Sequence, residues 1–258
     1  MASVTIAELP PRSLVLAVFV SCAPPNGGTE SQRPPVREET PQAPESALPS
    51  EASVAVAEPP PQVPAPATVA LPVAGFADAV LAVPVGAGDP RPLVIATHGN
   101  FDRPEWQCDV WSKILRGRAF VLCPRGIARP DSPAPDDTRF TYRHNRDLER
   151  EVDAAWAALR TSRYAPFVAE GPATWAGFSL GAIMGVAIAE RRPRDFATLL
   201  LVEGGVDRFL DEAARAFAKG GGQRVLFVCA QRGCSGTASA RAKALERAGL
   251  KASVIDAG

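Results

Sequence analysis

A serine framed by two glycines stands where a strand-like run meets a helical one. Ala173-Thr174-Trp175-Ala176 leads into Gly177-Phe178-Ser179-Leu180-Gly181, and small residues follow from Ala182. In a sharp strand-to-helix turn the flanking glycines allow backbones to approach where any Cβ would clash, and the serine hydroxyl stands clear above the sheet edge. Ser179 is therefore the candidate nucleophile. The same turn aims the N–H of Leu180, at the start of the next helix, toward the place where an oxyanion develops during acyl transfer. One pentapeptide thus offers a nucleophile and half of an electrostatic cradle.

The elements that must position these groups are legible as apolar runs separated by helical patterns. Strands are expected near Thr68 to Val73, Ala79 to Val83, Leu93 to Thr97, Ala119 to Leu122, Ala173 to Gly177, Thr198 to Val202, Val225 to Cys229 and Ala252 to Ile255. Continuous apolar character such as Leu93-Val94-Ile95-Ala96 suits strands buried on both faces. Helices are expected near Trp106 to Arg116, Arg146 to Leu159, Ala182 to Arg191 and Ala238 to Ala248. This order predicts an α/β fold, a doubly wound and mostly parallel sheet of about eight strands. Reactive groups then collect at the carboxyl ends of strands. His98-Gly99-Asn100 follows one such end, and the N–H of Asn100 or Phe101 is placed to be the second oxyanion donor, with His98 structural rather than basic. Cys123-Pro124-Arg125-Gly126 ends another, leading into a Pro/Asp-rich loop over 127–142 that is expected to wall a substrate pocket.

Arg12 precedes the apolar run 14–22, which is too short to span a bilayer as a mature helix and fits a signal-peptide core over 1–22. Phe19-Val20-Ser21-Cys22 is lipobox-like, so Cys22 is the expected lipidation site and the cell envelope, facing the periplasm or exterior, the expected location. Residues 23–66 are dominated by Pro, Glu, Ala, Gln and Ser, a composition that cannot bury enough apolar surface to fold and predicts a disordered linker before a domain over 67–258. With Cys22 set aside, Cys108, Cys123, Cys229 and Cys234 remain, an even number consistent with two disulfides in an exported protein. Cys229 with Cys234 and Cys108 with Cys123 are the expected pairs. Lys plus Arg equals Asp plus Glu, 28 against 28, so no net field recruits nucleic acid. No Cys/His spacing suggests a metal, and no organic cofactor is implied.

Thr97-His98-Gly99, Cys123-Pro124-Arg125-Gly126, Gly177-Phe178-Ser179-Leu180-Gly181 and Val202-Glu203-Gly204-Gly205 together resemble the α/β-hydrolase superfamily, near the exported esterase and dienelactone-hydrolase branch. The resemblance implies a general-base histidine in the loop after the last strand. The chain departs from the pattern there: its two histidines are His98 and His144, and the expected last strand is followed only by Asp256-Ala257-Gly258. Two expectations compete, a sequence lacking the C-terminal segment that carries the histidine and a hydrolase-like protein without catalysis, with His144 as an unorthodox base a third. The triad acid must be a carboxylate at a strand end. The loop Ala230-Gln231-Arg232-Gly233 has none, which directs attention to Glu203 and then Asp207. Trp106, Trp111 and Trp175 are expected in the core, Phe178 beneath the turn, and Tyr142 and Phe101 on the acyl pocket. The resemblance implies a serine esterase working through an acyl-enzyme on a small-molecule ester, held to a membrane by its lipid. The alternatives are a non-catalytic envelope-tethered binding protein, or a serine peptidase or acyltransferase on the same fold.

Overall fold

The computed structural model describes residues 67–84, 86 and 89–258. The signal-like run, Cys22 and the 23–66 segment lie outside the described residues. Eight strands form one sheet: β1 (Ala67–Leu71), β2 (Ala79–Val83), β3 (Leu93–Thr97), β4 (Phe120–Cys123), β7 (Ala173–Phe178), β8 (Phe196–Val202), β9 (Arg224–Cys229) and β10 (Lys251–Asp256). Their order is β1-β2-β4-β3-β7-β8-β9-β10. β2 pairs antiparallel with both β1 and β4, and every other neighbouring pair is parallel. β3 and β7 occupy the centre, so the two loops read as reactive leave adjacent strand ends: Thr97 lies opposite Gly177 in the ladder.

Among the described residues, five α-helices cover the sheet unequally. The apolar sides of α2 (Asn145–Thr161), α3 (Leu180–Arg191), α4 (Asp211–Lys219) and α5 (Cys234–Arg247) share one core with Ile95, Trp175, Leu199 and Phe227. α1 (Pro104–Leu115) covers the opposite face, burying Cys108, Trp111, Ile114 and Leu115 against Val94, Ala96 and Val121. On that side of β8, β9 and β10, Leu200, Leu226 and Ile255 remain half-buried, with no helix over them among the described residues. A parallel strand normally buries both faces, so this stretch of sheet is unusually open.

All eight expected strands form, with ends shifted by at most two residues. The expected loop over 127–142 contains a short hairpin, β5 (Ile127–Ala128) with β6 (Phe140–Thr141). α4 has no counterpart among the expected helices, and α5 begins four residues earlier than expected, at Cys234 itself. Both expected disulfides are present, Cys108–Cys123 and Cys229–Cys234. The first joins α1 to the end of β4, and the second closes the loop between β9 and α5.

Candidate active site

Ser179 sits between β7 and α3 at φ 49° and ψ −111°, a conformation that L side chains rarely adopt. Its surroundings hold it there. The Ser179 N–H donates to the Val202 carbonyl at 2.8 Å, tying the turn to β8, and the Ser179 carbonyl accepts from Ile183 N–H at 3.0 Å within the helix. The glycines are a packing requirement: a Cβ at Gly177 would lie 2.6 Å from the backbone N and Cα of Ala182, and one at Gly181 would lie 2.6 Å from the Thr97 carbonyl oxygen. Gly181→Ala should therefore cost about 1–3 kcal/mol through overpacking against backbone that cannot yield. It should also slow any reaction of Ser179, and a thermal melt beside a labelling rate reads both effects on the same sample.

The loop after β3 meets this turn directly. Gly181 N–H donates to the His98 carbonyl at 3.1 Å, and a Cβ at Gly99 would lie 3.3 Å from the Ser179 Cβ. Gly99 N–H is occupied by Asp102 Oδ2 at 3.1 Å, and the same carboxylate accepts from Gln107 Nε2 at 3.0 Å and Arg103 N–H at 2.7 Å. Tied in this way, the loop carries Phe101 at φ 61°. The N–H groups of Asn100, Phe101 and Leu180 donate to no acceptor among the described residues, which leaves them available to a developing oxyanion.

His98 is fully buried. Its Nδ1 lies 2.7 Å from the Gly99 carbonyl and its Nε2 2.9 Å from the Arg125 carbonyl, while the ring stacks on Tyr142 at 4.3 Å. Burial lowers its pKa, outweighing the opposite pull of those carbonyls and of the Asp102 and Glu105 carboxylates. Whichever nitrogen holds the proton, the other faces a carbonyl oxygen rather than Ser179, so His98 is a strut between the loops after β3 and β4. Tyr142 completes the strut: its hydroxyl accepts from His98 N–H at 3.3 Å and donates to the Pro124 carbonyl at 3.0 Å. The expectation that Tyr142 lines an acyl pocket is thus corrected, because stacking under His98 puts it in the core. His144 stands exposed before α2, lining a surface groove with Leu180 and Ile183.

The loop after β4 is supported by Glu151, whose Oε1 accepts from Gly126 N–H at 2.8 Å. Burial raises this carboxyl above its ordinary value of 4.5, against the lowering effect of the bonds from Gly126 and Arg125. A carboxyl whose folded pKa is raised contributes stability below its unfolded pKa and loses it as pH rises through the folded one. Glu151→Gln keeps the acceptor and removes the charge. Its melting temperature should therefore exceed that of the wild type at pH 7.5 by more than at pH 4.5, and an equal offset at both would contradict this reading.

Glu203 follows β8 at φ 53°. Its N–H donates to the Val228 carbonyl at 3.0 Å, and its Oε1 accepts from Ala230 N–H in the loop after β9. Asp207 is exposed, three residues beyond Gly204, on a separate groove. A cavity of about 690 Å³ opens between the Asn100–Asp102 loop, α1 and the ends of β8 and β9, reaching Phe178, Glu203 and Gln231. Phe101 lines it as expected. Trp111 touches it from the core, as expected, whereas Trp106 is only half-buried and lines it, against the expectation of a core role, and Phe178 is half-buried on its wall rather than beneath the turn. Arg139, from the hairpin, stacks on Trp106 at 4.3 Å and makes one wall, the role expected of the 127–142 loop.

No protein-family model matches the chain, and no curated protein does. Solved structures do. A protein assigned as a dienelactone hydrolase from Klebsiella pneumoniae aligns over 74% of this chain and 83% of its own at 15% identity, with a TM-score of 0.53. A fluorophosphonate-binding serine hydrolase of Staphylococcus aureus aligns over 74% and 88% at 9% identity, TM-score 0.51. Est1E of Butyrivibrio proteoclasticus aligns over 73% and 87% at 13% identity, TM-score 0.50. At such identities the likeness shows the fold: this chain has the α/β-hydrolase fold.

Proposed function

We propose that the protein is a serine hydrolase that cleaves a carboxylic ester through an acyl-enzyme. The strained Ser179, packed beside the loop after β3 whose Asn100 and Phe101 N–H groups have no acceptor among the described residues, is the observation that carries this reading. Ser179 Oγ attacks the ester carbonyl and gives its proton to a base. The carbonyl oxygen becomes an oxyanion held by Leu180 N–H and by Asn100 or Phe101 N–H, and collapse expels the alcohol and leaves acyl-Ser179. Water then repeats the sequence and releases the acid. Glu203 is the acid that orients the base. Among the described residues neither His98 nor His144 hydrogen-bonds to the serine; the end of β10 lies beside Ala230 and hence beside Glu203, where Ala257 N–H donates to the Cys229 carbonyl at 2.6 Å. Two disulfides support an oxidising compartment, in keeping with envelope attachment through Cys22.

The test is an alkyl fluorophosphonate applied to the full-length protein, with the modified peptide mapped by mass spectrometry. A single adduct on Ser179 supports the proposal. A folded full-length protein that stays unlabelled overturns it in favour of a non-catalytic binding protein, the reading favoured by the lack of an imidazole against Ser179 among the described residues.

A further inference from the structure

The Cys229–Cys234 disulfide closes the loop between β9 and α5, which holds only Ala230, Gln231, Arg232 and Gly233. This loop is joined to the site on two sides. Ala230 N–H is the one donor bonded to the Glu203 carboxylate among the described residues, and Gln231 stands on the cavity wall. Inside the loop, Gly233 takes φ 84° and Cys234 N–H donates to the Gln231 carbonyl at 3.2 Å. Thr237 N–H and Oγ1 also donate to the Gly233 carbonyl, at 3.5 and 3.3 Å, and beyond these bonds the loop has little to hold it, since Gln231, Arg232 and Gly233 are all exposed.

We propose that this disulfide is a redox-sensitive support for Glu203. While it is closed, the four-residue loop has few conformations, and Ala230 N–H stays directed at the carboxylate. A dithiol reductant transfers two electrons and two protons: the Cys229–Cys234 bond breaks to two thiols, and the reductant leaves as its own cyclic disulfide. The loop then gains conformational freedom, the Ala230 bond to Glu203 is lost, and the carboxylate turns toward solvent. The two disulfides of the protein differ in access. Cys108 and Cys123 are fully buried, whereas Cys234 is half-exposed beside three exposed residues. A small thiol therefore reaches one bridge and not the other. The consequence for catalysis rests on the reading of Ser179 and Glu203 above; the support itself does not.

The experiment treats the full-length protein with dithiothreitol under native conditions, alkylates the freed thiols, maps them, and follows Ala230 amide exchange together with the rate of fluorophosphonate labelling. Alkylation at Cys229 and Cys234 alone, with lost protection at Ala230, is expected. Labelling of Ser179 should slow by about tenfold to a hundredfold, the scale of a misplaced orienting group. In Glu203→Ala the same reduction should slow labelling no further, an outcome that general loosening of the fold would not give. Retained Ala230 protection with both thiols alkylated overturns the proposal, as does equal alkylation of Cys108 and Cys123, or an equal further loss in Glu203→Ala. If Ser179 is never labelled, even oxidised, the hydrolase reading fails, and amide exchange still decides whether the disulfide holds the loop.

Discussion

Ser179→Gly is expected to remove every trace of fluorophosphonate labelling and to make the protein more stable. The two effects have one cause. At φ 49° and ψ −111° an L residue is held against its own sterics, a strain of about 1–3 kcal/mol that the surrounding bonds to Val202 and Ile183 sustain. Glycine adopts that conformation freely, although it adds entropy to the unfolded chain, so the net gain should be about 1 kcal/mol. For a folded part of this size that is a rise in melting temperature of about 2–4 °C. Ser179→Ala separates the terms: it also lacks the hydroxyl, and ester hydrolysis should fall by on the order of a thousandfold or more. It keeps its Cβ and hence the strain, so its melting temperature should stay within about a degree of the wild type. A glycine variant less stable than the alanine variant would show that the turn is relaxed, and the main structural reason for placing a nucleophile there would go with it.

How far such a site can be read in advance depends on whether its signals are local. The turn at Ser179 is legible because its glycines answer to steric demands within a few residues, and the strand before it is a continuous apolar run. Glu203 is legible as a carboxylate at a strand end, and the disulfides follow from the even count and the strand-end spacing. Burial direction is another matter. Tyr142 and Phe101 look alike as aromatic residues near reactive loops, yet Tyr142 stacks under His98, 44 positions earlier, and Phe101 faces the cavity. Only the juxtaposition of β3 and β6 distinguishes them. Trp106 is drawn to the cavity wall by Arg139, again a long-range partner. α4 did carry a local signal that goes unused in a reading by apolar runs: Asp211 and Glu212 in its first turn, Lys219 in its last and Gly220 after it complement the helix dipole and end. Its buried side, Ala213 and Ala214 beside Phe217, alternates with charged residues at helical spacing, so its signal is amphipathic periodicity and not an apolar run.

Trp175→Ala is expected to be among the most destabilising single changes in the fold, and its effect should reach Ser179. The indole is wholly buried in β7, meets Phe196 edge-on at 5.4 Å, and packs against Gly185 of α3, where no side chain would fit. Removing it leaves a cavity between the central strand and the helix that follows Ser179, a loss of about 3–5 kcal/mol. Its Nε1 also donates to the Gly181 carbonyl at 3.2 Å, so truncation leaves a buried acceptor unpaired, a further cost of about 1 kcal/mol. Together the two losses should lower the melting temperature by about 8–24 °C. Trp175→Phe retains most of the volume and loses the donor, and separates the two contributions. If the hydrogen bond to Gly181 steadies the turn, the phenylalanine variant should melt much nearer the wild type than the alanine variant does and yet react with the fluorophosphonate more slowly at a temperature where both are folded. Unchanged labelling in that variant would mean that packing alone sets the position of Ser179 and that the indole N–H merely satisfies a carbonyl.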